Sequence, residues 1–492
     1  MTPNLILSIL AIYFLVLIGI SYFTSRGANN QTFFLANKKS PWLLVAFGMI
    51  GASLSGITFI SIPGGVGNVA SQFGYMQMVF GYLIGYLIIA YVLMPIYYRL
   101  NLTSIYGYLK HRFGDNSHKI GAFYFLLSRV IGASIRLLLV ANVLQMFVFD
   151  DLNIPFEFTV LFSILLIWVY TFKGGIKTII WTDTLQTLFM LLSLGFTVYF
   201  IGKELNVSET GGFIKTIADS EYSKIFFLDD WNAKNHFVKM FLGGIFLAVG
   251  MTGLDQDMMQ KNLSCPDIKS AQKNMISFAI VLVVINLIFL ALGALLFMYV
   301  NANAITIPFE RVENPLGVVN EIKQRTDLLF PKIAMQSGAS IGIGVLFLLG
   351  LIAAAYSSAD SALTSLTTTV CVDFIGEKKK EVSQKTRRIV HVIMSFVLFV
   401  VVIILHHTLS LSAIWQLITL AGYTYGPLIG LFFFGIISKR KINDKIVILI
   451  CLLAPLLTYY INLNAAEWFN GFAFGGTLII VNGVLTFLGL FL

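Results

Sequence analysis

Residues 354–368 read Ala354-Ala355-Tyr356-Ser357-Ser358-Ala359-Asp360-Ser361-Ala362-Leu363-Thr364-Ser365-Leu366-Thr367-Thr368. They sit inside an apolar segment, 332–372, long enough to cross a bilayer. Hydroxyls and a carboxylate are costly there, about 2.5–3.5 kcal/mol for an Asp at mid-membrane. At about 100° per residue, Ala354, Ser357, Ser361, Thr364, Ser365 and Thr368 share one helical face, with Ser358 and Asp360 at its edges. Such a stripe lines something polar. Oxygen donors without nitrogen or sulfur suit a hard cation such as sodium.

The chain around this stripe has 492 residues, 57% hydrophobic and 12% charged, against about 25% charge in a soluble domain. Apolar runs of membrane-spanning length recur to the last residue, so the expectation is an all-α polytopic membrane protein in one domain. Cys265, Cys371 and Cys451 are far apart with no CxxC, which implies neither a disulfide framework nor a zinc site. The first apolar run has no Lys or Arg before it and no small-residue cleavage site, and reads as a retained span.

Thirteen spans are expected, near 4–24, 41–62, 75–98, 120–149, 156–172, 180–202, 236–259, 274–300, 332–372, 387–406, 412–437, 446–463 and 470–492. The ninth is too long for one simple crossing and starts outside the hydrocarbon. The net charge of +9 is a topology signal, not a nucleic-acid one. Of 33 basic residues, 22 lie in alternate loops, among them Arg26, Lys173, Lys261, Lys378–Lys380 and Arg387. The short loops on the other side hold none, which puts the N-terminus outside and the C-terminus in the cytoplasm. Two basic residues, Arg129 and Arg136, fall inside the fourth span.

The second span carries Gly48, Gly51, Ser53, Ser55, Gly56 and Thr58 before Pro63. The seventh carries Gly243-Gly244 and then Gly250-Met251-Thr252-Gly253-Leu254-Asp255. Both are glycine-interrupted at mid-depth and lie five spans apart, an odd offset that inverts the second half in the membrane. Paired broken spans point to a transporter site. Glycines that only permit close helix packing are the plainer alternative.

Several stretches resemble the sodium:solute symporter family, closest to its iodide-transporter-like and bacterial sodium/sialic acid symporter branches. They are Leu93-Met94-Pro95-Ile96-Tyr97-Tyr98-Arg99-Leu100 with Leu102-Thr103-Ser104-Ile105-Tyr106-Gly107-Tyr108-Leu109, Tyr170–Thr178 followed by Trp181-Thr182-Asp183, and Asp255-Gln256-Asp257 with Gln260-Lys261. The resemblance implies a LeuT-like 5+5 inverted repeat: a leading span (4–25), a first five-helix repeat (41–202), a second (236–437) and two tail spans (446–492). It implies a sodium-coupled symporter in the inner (plasma) membrane, working as a monomer on a small organic solute. A sugar acid such as sialic acid leads. A neutral sugar, a monocarboxylate, a vitamin or an inorganic anion is the alternative.

By the same resemblance, a first sodium ion is held by Gly51, Leu54, Ala354, Ser357 and Ser358, the first three through backbone carbonyls. A candidate second sodium would use Asp183, Ser357, Asp360 and Ser361, although the family pattern has serine where this chain has Asp360. Two buried carboxylates call for something positive nearby. The substrate pocket carries over to Ser53, Ser55, Thr58, Phe73, Gln77 and Arg136, with Arg136 suited to clamp a carboxylate. Arg129, seven residues earlier on the same face, is the alternative clamp, or else the partner of Asp183 or Asp360.

Energetics links substrate to stoichiometry. A charge gains about 2.3 kcal/mol per 100 mV, and a tenfold sodium gradient adds about 1.4 kcal/mol. One sodium with one monoanion moves no net charge, so a second cation helps an anionic substrate most. An enzyme is not expected: the six histidines lie near span ends, and no HExxH or GxSxG occurs. A channel, or a sensor built on a transporter-like domain, remains a remote alternative.

Overall fold

The computed structural model describes residues 3–172, 174–209, 211–307, 309–313, 319–336, 341–376, 382–408 and 413–492. Lys173, Lys378–Lys380 and the first residue of the eleventh expected span lie outside the described residues. The principal helices are α1 (Pro3–Thr24), α2 (Trp42–Ser53), α3 (Gly56–Gly65), α4 (Tyr75–Arg99), α5 (Asp115–Leu144), α6 (Phe156–Thr171), α7 (Ile176–Glu204) and α8 (Phe237–Gly253). They continue with α9 (Gln256–Leu263), α10 (Ile268–Ala302), α11 (Leu329–Gln336), α12 (Ile341–Thr369), α13 (Gln384–Thr408), α14 (Ala413–Ile437), α15 (Asp444–Trp468) and α16 (Leu478–Gly489).

Each of the thirteen expected segments contains helix. Among the described residues, nine helices are long and apolar enough to cross a membrane. The pairs α2–α3 and α8–α9, bent by 56° and 63°, pass the same length and composition test when each pair is taken together. Phe156–Thr171 and Gly475–Gly489 are shorter apolar helices. The over-long ninth segment resolves into the short α11 and the long α12. One departure from an all-helical chain lies in the loop 301–331, where β1 (Phe309–Glu313) and β2 (Val319–Gln324) pair antiparallel.

Packing follows the inverted repeat. Helix α4 lies along α8, and its counterpart α10 lies along α2 and α3. Helix α7 lies along α12, and its counterpart α14 lies along α5. The ends of the bundle are tied by complementary charge. Asp444 accepts the Asn116 and Ser117 amides, both at 2.8 Å, at the start of α5, where the helix dipole favours an anion. Arg112 donates to the Gly435, Ser438 and Arg440 carbonyls at the end of α14.

The glycines serve packing as well as unwinding. Helices α4 and α8 approach so closely that a β-carbon on Gly81 would lie 2.1 Å from the Phe241 carbonyl oxygen, and one on Gly244 would lie 2.2 Å from that of Met78. Gly244→Ala is therefore expected to destabilise by about 1–3 kcal/mol, read as a lower thermal unfolding midpoint in detergent. Gly195→Ala, with nothing within 4 Å of the added carbon, should leave the midpoint unlowered.

Candidate functional site

The site begins where α2 stops. Leu54 (φ −81°, ψ 74°) leaves the helix, and its amide still bonds the Ile50 carbonyl at 2.8 Å. The Ser55 amide turns back to Ser53, and α3 then starts with Phe59 donating to Ser55. Among the described residues, no backbone amide donates to the carbonyls of Gly51, Ala52 or Leu54. Bare carbonyls at this depth need another partner.

The hydroxyl stripe of α12 comes to this break. Ser358 Oγ lies 3.4 Å from the Ala52 carbonyl oxygen and 3.2 Å from that of Ala354 in its own helix. Ser357 turns the other way, donating to Asp183 Oδ1 on α7 at 2.6 Å. Helix α7 also fastens α2: the Gly51 amide donates to Thr187 Oγ1 at 3.0 Å, and Thr187 donates to the Asp183 carbonyl at 2.7 Å. A β-carbon on Gly51 would fall 2.2 Å from Thr187 Oγ1, so only glycine permits this approach.

The second break is treated differently. Helix α8 ends in a π turn, Val249–Gly253. The freed Gly253 carbonyl takes the Tyr97 hydroxyl at 2.9 Å, and that of Leu254 takes the Tyr106 hydroxyl at 2.9 Å. The two breaks match in the chain but not in chemistry: one is capped by phenols, the other left open beside serines.

Past the second break, each residue of the Asp255–Lys261 motif ties α9 to another element. Asp255 caps α9 through the Asp257 amide (2.9 Å) and accepts the Tyr425 hydroxyl (2.5 Å). Gln256 bonds the Ile105 amide and the Thr103 carbonyl. Asp257 pairs with Arg129 and accepts Ser361 Oγ at 2.5 Å. Gln260 reaches Phe34 and Thr368. Lys261 Nζ lies 2.7 Å from Asp183 Oδ2. Lys261, counted from sequence as a loop charge, is only 1% exposed, and Arg387 is buried as well, bonded to Asn30.

Beside the open break lies a cavity with about 810 Å3 of empty space, its mouth included. Of the expected substrate residues, Ser53, Ser55, Thr58 and Arg136 line it. Phe73 and Gln77 do not. The Phe73 amide bonds the Lys224 carbonyl, and the Gln77 amide group holds Gly74, Asn235 and Phe227, fastening the segment before α8. Tyr75, Tyr82 and Tyr86 of α4 line the cavity without having been anticipated. Their spacing at i, i+7 and i+11 is a one-face signal that was present in the sequence.

The two membrane arginines have different fates. Arg129 is paired with Asp257, with Asp255 Oδ2 3.9 Å away, and not with Asp183 or Asp360. Arg136 is buried at the cavity wall, and its Nε has no hydrogen-bond partner. Among the described residues no carboxylate lies within ion-pair distance of it. Of the four groups expected round a second sodium, Asp183 and Ser357 are bonded to each other, Ser361 turns to Asp257, and Asp360 accepts the Tyr170 hydroxyl at 2.7 Å.

Two inverted five-helix repeats, with broken helices facing a central polar cavity, define a fold of the LeuT type. The chain belongs to the sodium:solute symporter family, whose sequence model matches residues 33–445. It is 26% identical over 471 residues to the sodium/sialic acid symporter NanT of Aliivibrio fischeri, covering 94% of this chain and 88% of that protein. It is 26% identical over 495 residues to the sodium/sialic acid symporter SiaT of Proteus mirabilis, covering 96% and 92%. Its fold is similar to that of a Na+-coupled sialic acid symporter solved substrate-bound and outward-open, with a TM-score of 0.78 at 23% identity over 99% of this chain and 96% of that one.

Removing Arg129 leaves Asp257 as an unpaired charge away from water. Arg129→Met is expected to cost about 3–5 kcal/mol, read as a lower thermal midpoint. Adding Asp257→Asn to that variant should restore part of the loss, a coupling that a double-mutant cycle measures.

Proposed function

We propose that this protein is a sodium-driven symporter that imports a small organic anion, a sugar acid of the sialic acid type, by alternating access. The observation that carries the anion is Arg136: a buried guanidinium at the cavity wall, with no carboxylate among the described residues within ion-pair distance. A substrate carboxylate would supply the missing charge in bidentate geometry. Ser53, Ser55 and Thr58 add hydroxyl contacts of the kind a polyol needs. Two relatives that match nearly the whole chain are named for sialic acid.

For the cation, the reading assigns the carbonyls of Gly51, Leu54 and Ala354 and the hydroxyls of Ser357 and Ser358. An all-oxygen, uncharged set suits sodium, which would travel with the solute as cargo. Asp183 behind Ser357 already has Lys261, so the reading takes one sodium per solute.

The coupling follows from where these groups sit. Sodium bridging the break and α12 would hold the broken helix against the scaffold and set the cavity wall for the solute. Opening inward requires α9 to part from α5, α12 and α14, which means loosening Arg129–Asp257, Ser361–Asp257 and Tyr425–Asp255. Each ligand has to favour one state over the other, since equal affinity shifts nothing. The reading takes the C-terminus as cytoplasmic and the N-terminus as outside, in an inner membrane, a choice that the alternation of basic loops in the sequence supports. The working unit is taken as a monomer, with repeats at 41–202 and 236–437 between the leading span 4–25 and the tail 446–492.

Two substitutions test the reading in proteoliposomes loaded under an inward sodium gradient. Ser358→Ala is expected to raise the sodium concentration for half-maximal sialic acid uptake by about tenfold or more; unchanged sodium dependence removes this site. Arg136→Ala is expected to raise the half-saturating solute concentration by about 10- to 150-fold, the loss of one charge-assisted contact of about 1.5–3 kcal/mol. If anionic solutes bind equally well to both proteins, Arg136 is not the clamp.

A further inference from the structure

Helix α13 presents a basic pair at the head of an apolar groove. Its residues 384–408 include no Asp or Glu. Lys385, Arg387 and Arg388 stand in its first two turns. Arg387 turns inward, donating to Asn30 Oδ1 at 2.9 Å with its guanidinium carbon 4.3 Å from the centre of the Phe33 ring. Lys385 and Arg388 turn outward and are exposed. Among the described residues neither forms an ion pair.

Beside this pair lies a groove with about 670 Å3 of empty space, its mouth included, lined by Lys385, Arg388, Ile389, Val392 and Ile393. The apolar stripe continues to Phe396 and Val400 on the same helical face. Ile389, Val392, Ile393 and Phe396 are each half-exposed or more. In a membrane-spanning helix such a face meets acyl chains. From Ile389 to Val400 the stripe runs about 17 Å at 1.5 Å per residue, close to half the thickness of the hydrocarbon core, about 15 Å. The basic pair therefore sits at the depth of the headgroup of a lipid lying along the stripe. Three sources of positive potential meet there: the ammonium, the guanidinium and the N-terminal end of α13, whose dipole favours an anion. The Arg387 and Arg388 guanidiniums also repel each other, a cost that an anion offsets.

We propose that this face of α13 is a binding site for an anionic phospholipid: Lys385 and Arg388 hold the headgroup phosphate, and one acyl chain lies along Ile389, Val392, Ile393 and Phe396. A guanidinium and an ammonium both suit phosphate oxygens. A zwitterionic lipid brings its own cation to the same place and gains less, so the site discriminates by net charge. Free phosphate gains the charge without the apolar stripe. A second copy of this chain, packed on the same face by two-fold symmetry, would bring like charges together. The site does not rest on the symport reading; it requires only a chain that spans a bilayer.

The test is native mass spectrometry of the full chain in detergent, titrated with phosphatidylglycerol or with phosphatidylcholine of the same acyl chains. The wild type is expected to retain phosphatidylglycerol in preference to phosphatidylcholine. Lys385→Gln or Arg388→Gln should weaken that binding about fivefold, and the double substitution about 30-fold, with phosphatidylcholine retained as before. Both side chains are exposed, so these variants should fold. Lys441→Gln, at an exposed basic residue between α14 and α15, should leave the binding unchanged. Inorganic phosphate should not displace the lipid. Equal retention of the two lipids by the wild type overturns the proposal, whatever becomes of the variants. So does phosphatidylglycerol binding that the double variant keeps in full, that Lys441→Gln weakens equally, or that inorganic phosphate displaces. A dimer that the double substitution dissociates assigns the face to a second copy and overturns it too. Failure of the symport reading registers elsewhere, in sodium dependence that Ser358→Ala does not alter, and leaves the lipid result untouched.

Discussion

A helix broken inside a bilayer frees carbonyls that no water can satisfy, and the two breaks in this chain resolve that constraint in opposite ways. At Gly253 and Leu254 the phenols of Tyr97 and Tyr106 close the account from neighbouring segments. At Gly51 and Leu54 no backbone amide among the described residues does, and the serine face of α12 stands opposite. The chain thus holds one break capped by phenols and one left open beside serines. The placement of α2, α7 and α12 follows from that asymmetry, because all three must converge for the open carbonyls to find oxygen-rich company.

The buried charges form a second layer of the same logic. Three of the acidic side chains held out of water, Asp183, Asp255 and Asp257, lie on or beside the contacts of α9, and each is bonded to a different element. This arrangement ties α9 to α5, α7, α12 and α14. Such pairs add little net stability, because desolvation offsets attraction, but breaking one partner is expensive. They favour a small number of discrete arrangements over a continuum.

Much of this was legible in the residues. The oxygen stripe from Ala354 to Thr368, the twin interruptions near Leu54 and Asp255, and Arg136 in an apolar helix are each anomalous for lipid-facing sequence, so each announces a buried polar role. The family motif at Asp255–Lys261 was recognisable, yet its purpose was not, since a hydrogen-bond partner in another helix leaves no periodic trace. Phe73 and Gln77 were expected at the cavity and instead hold the segment before α8. Lys261 resembled a loop charge because it follows the broken span by only a few residues.

Sequence alone therefore determined the membrane class, the places where helices must break and the face that must be polar, because burial cost and helical period act locally. Tertiary structure decided which acid meets which base. Arg129 and Arg136 are the same residue type on one face of one helix, and only the approach of α9 gives a carboxylate to the first and leaves the second facing the cavity. Pairing depends on the relative placement of helices far apart in the chain, and electrostatic strength depends on distance and on exclusion of water, neither of which is encoded at a single position.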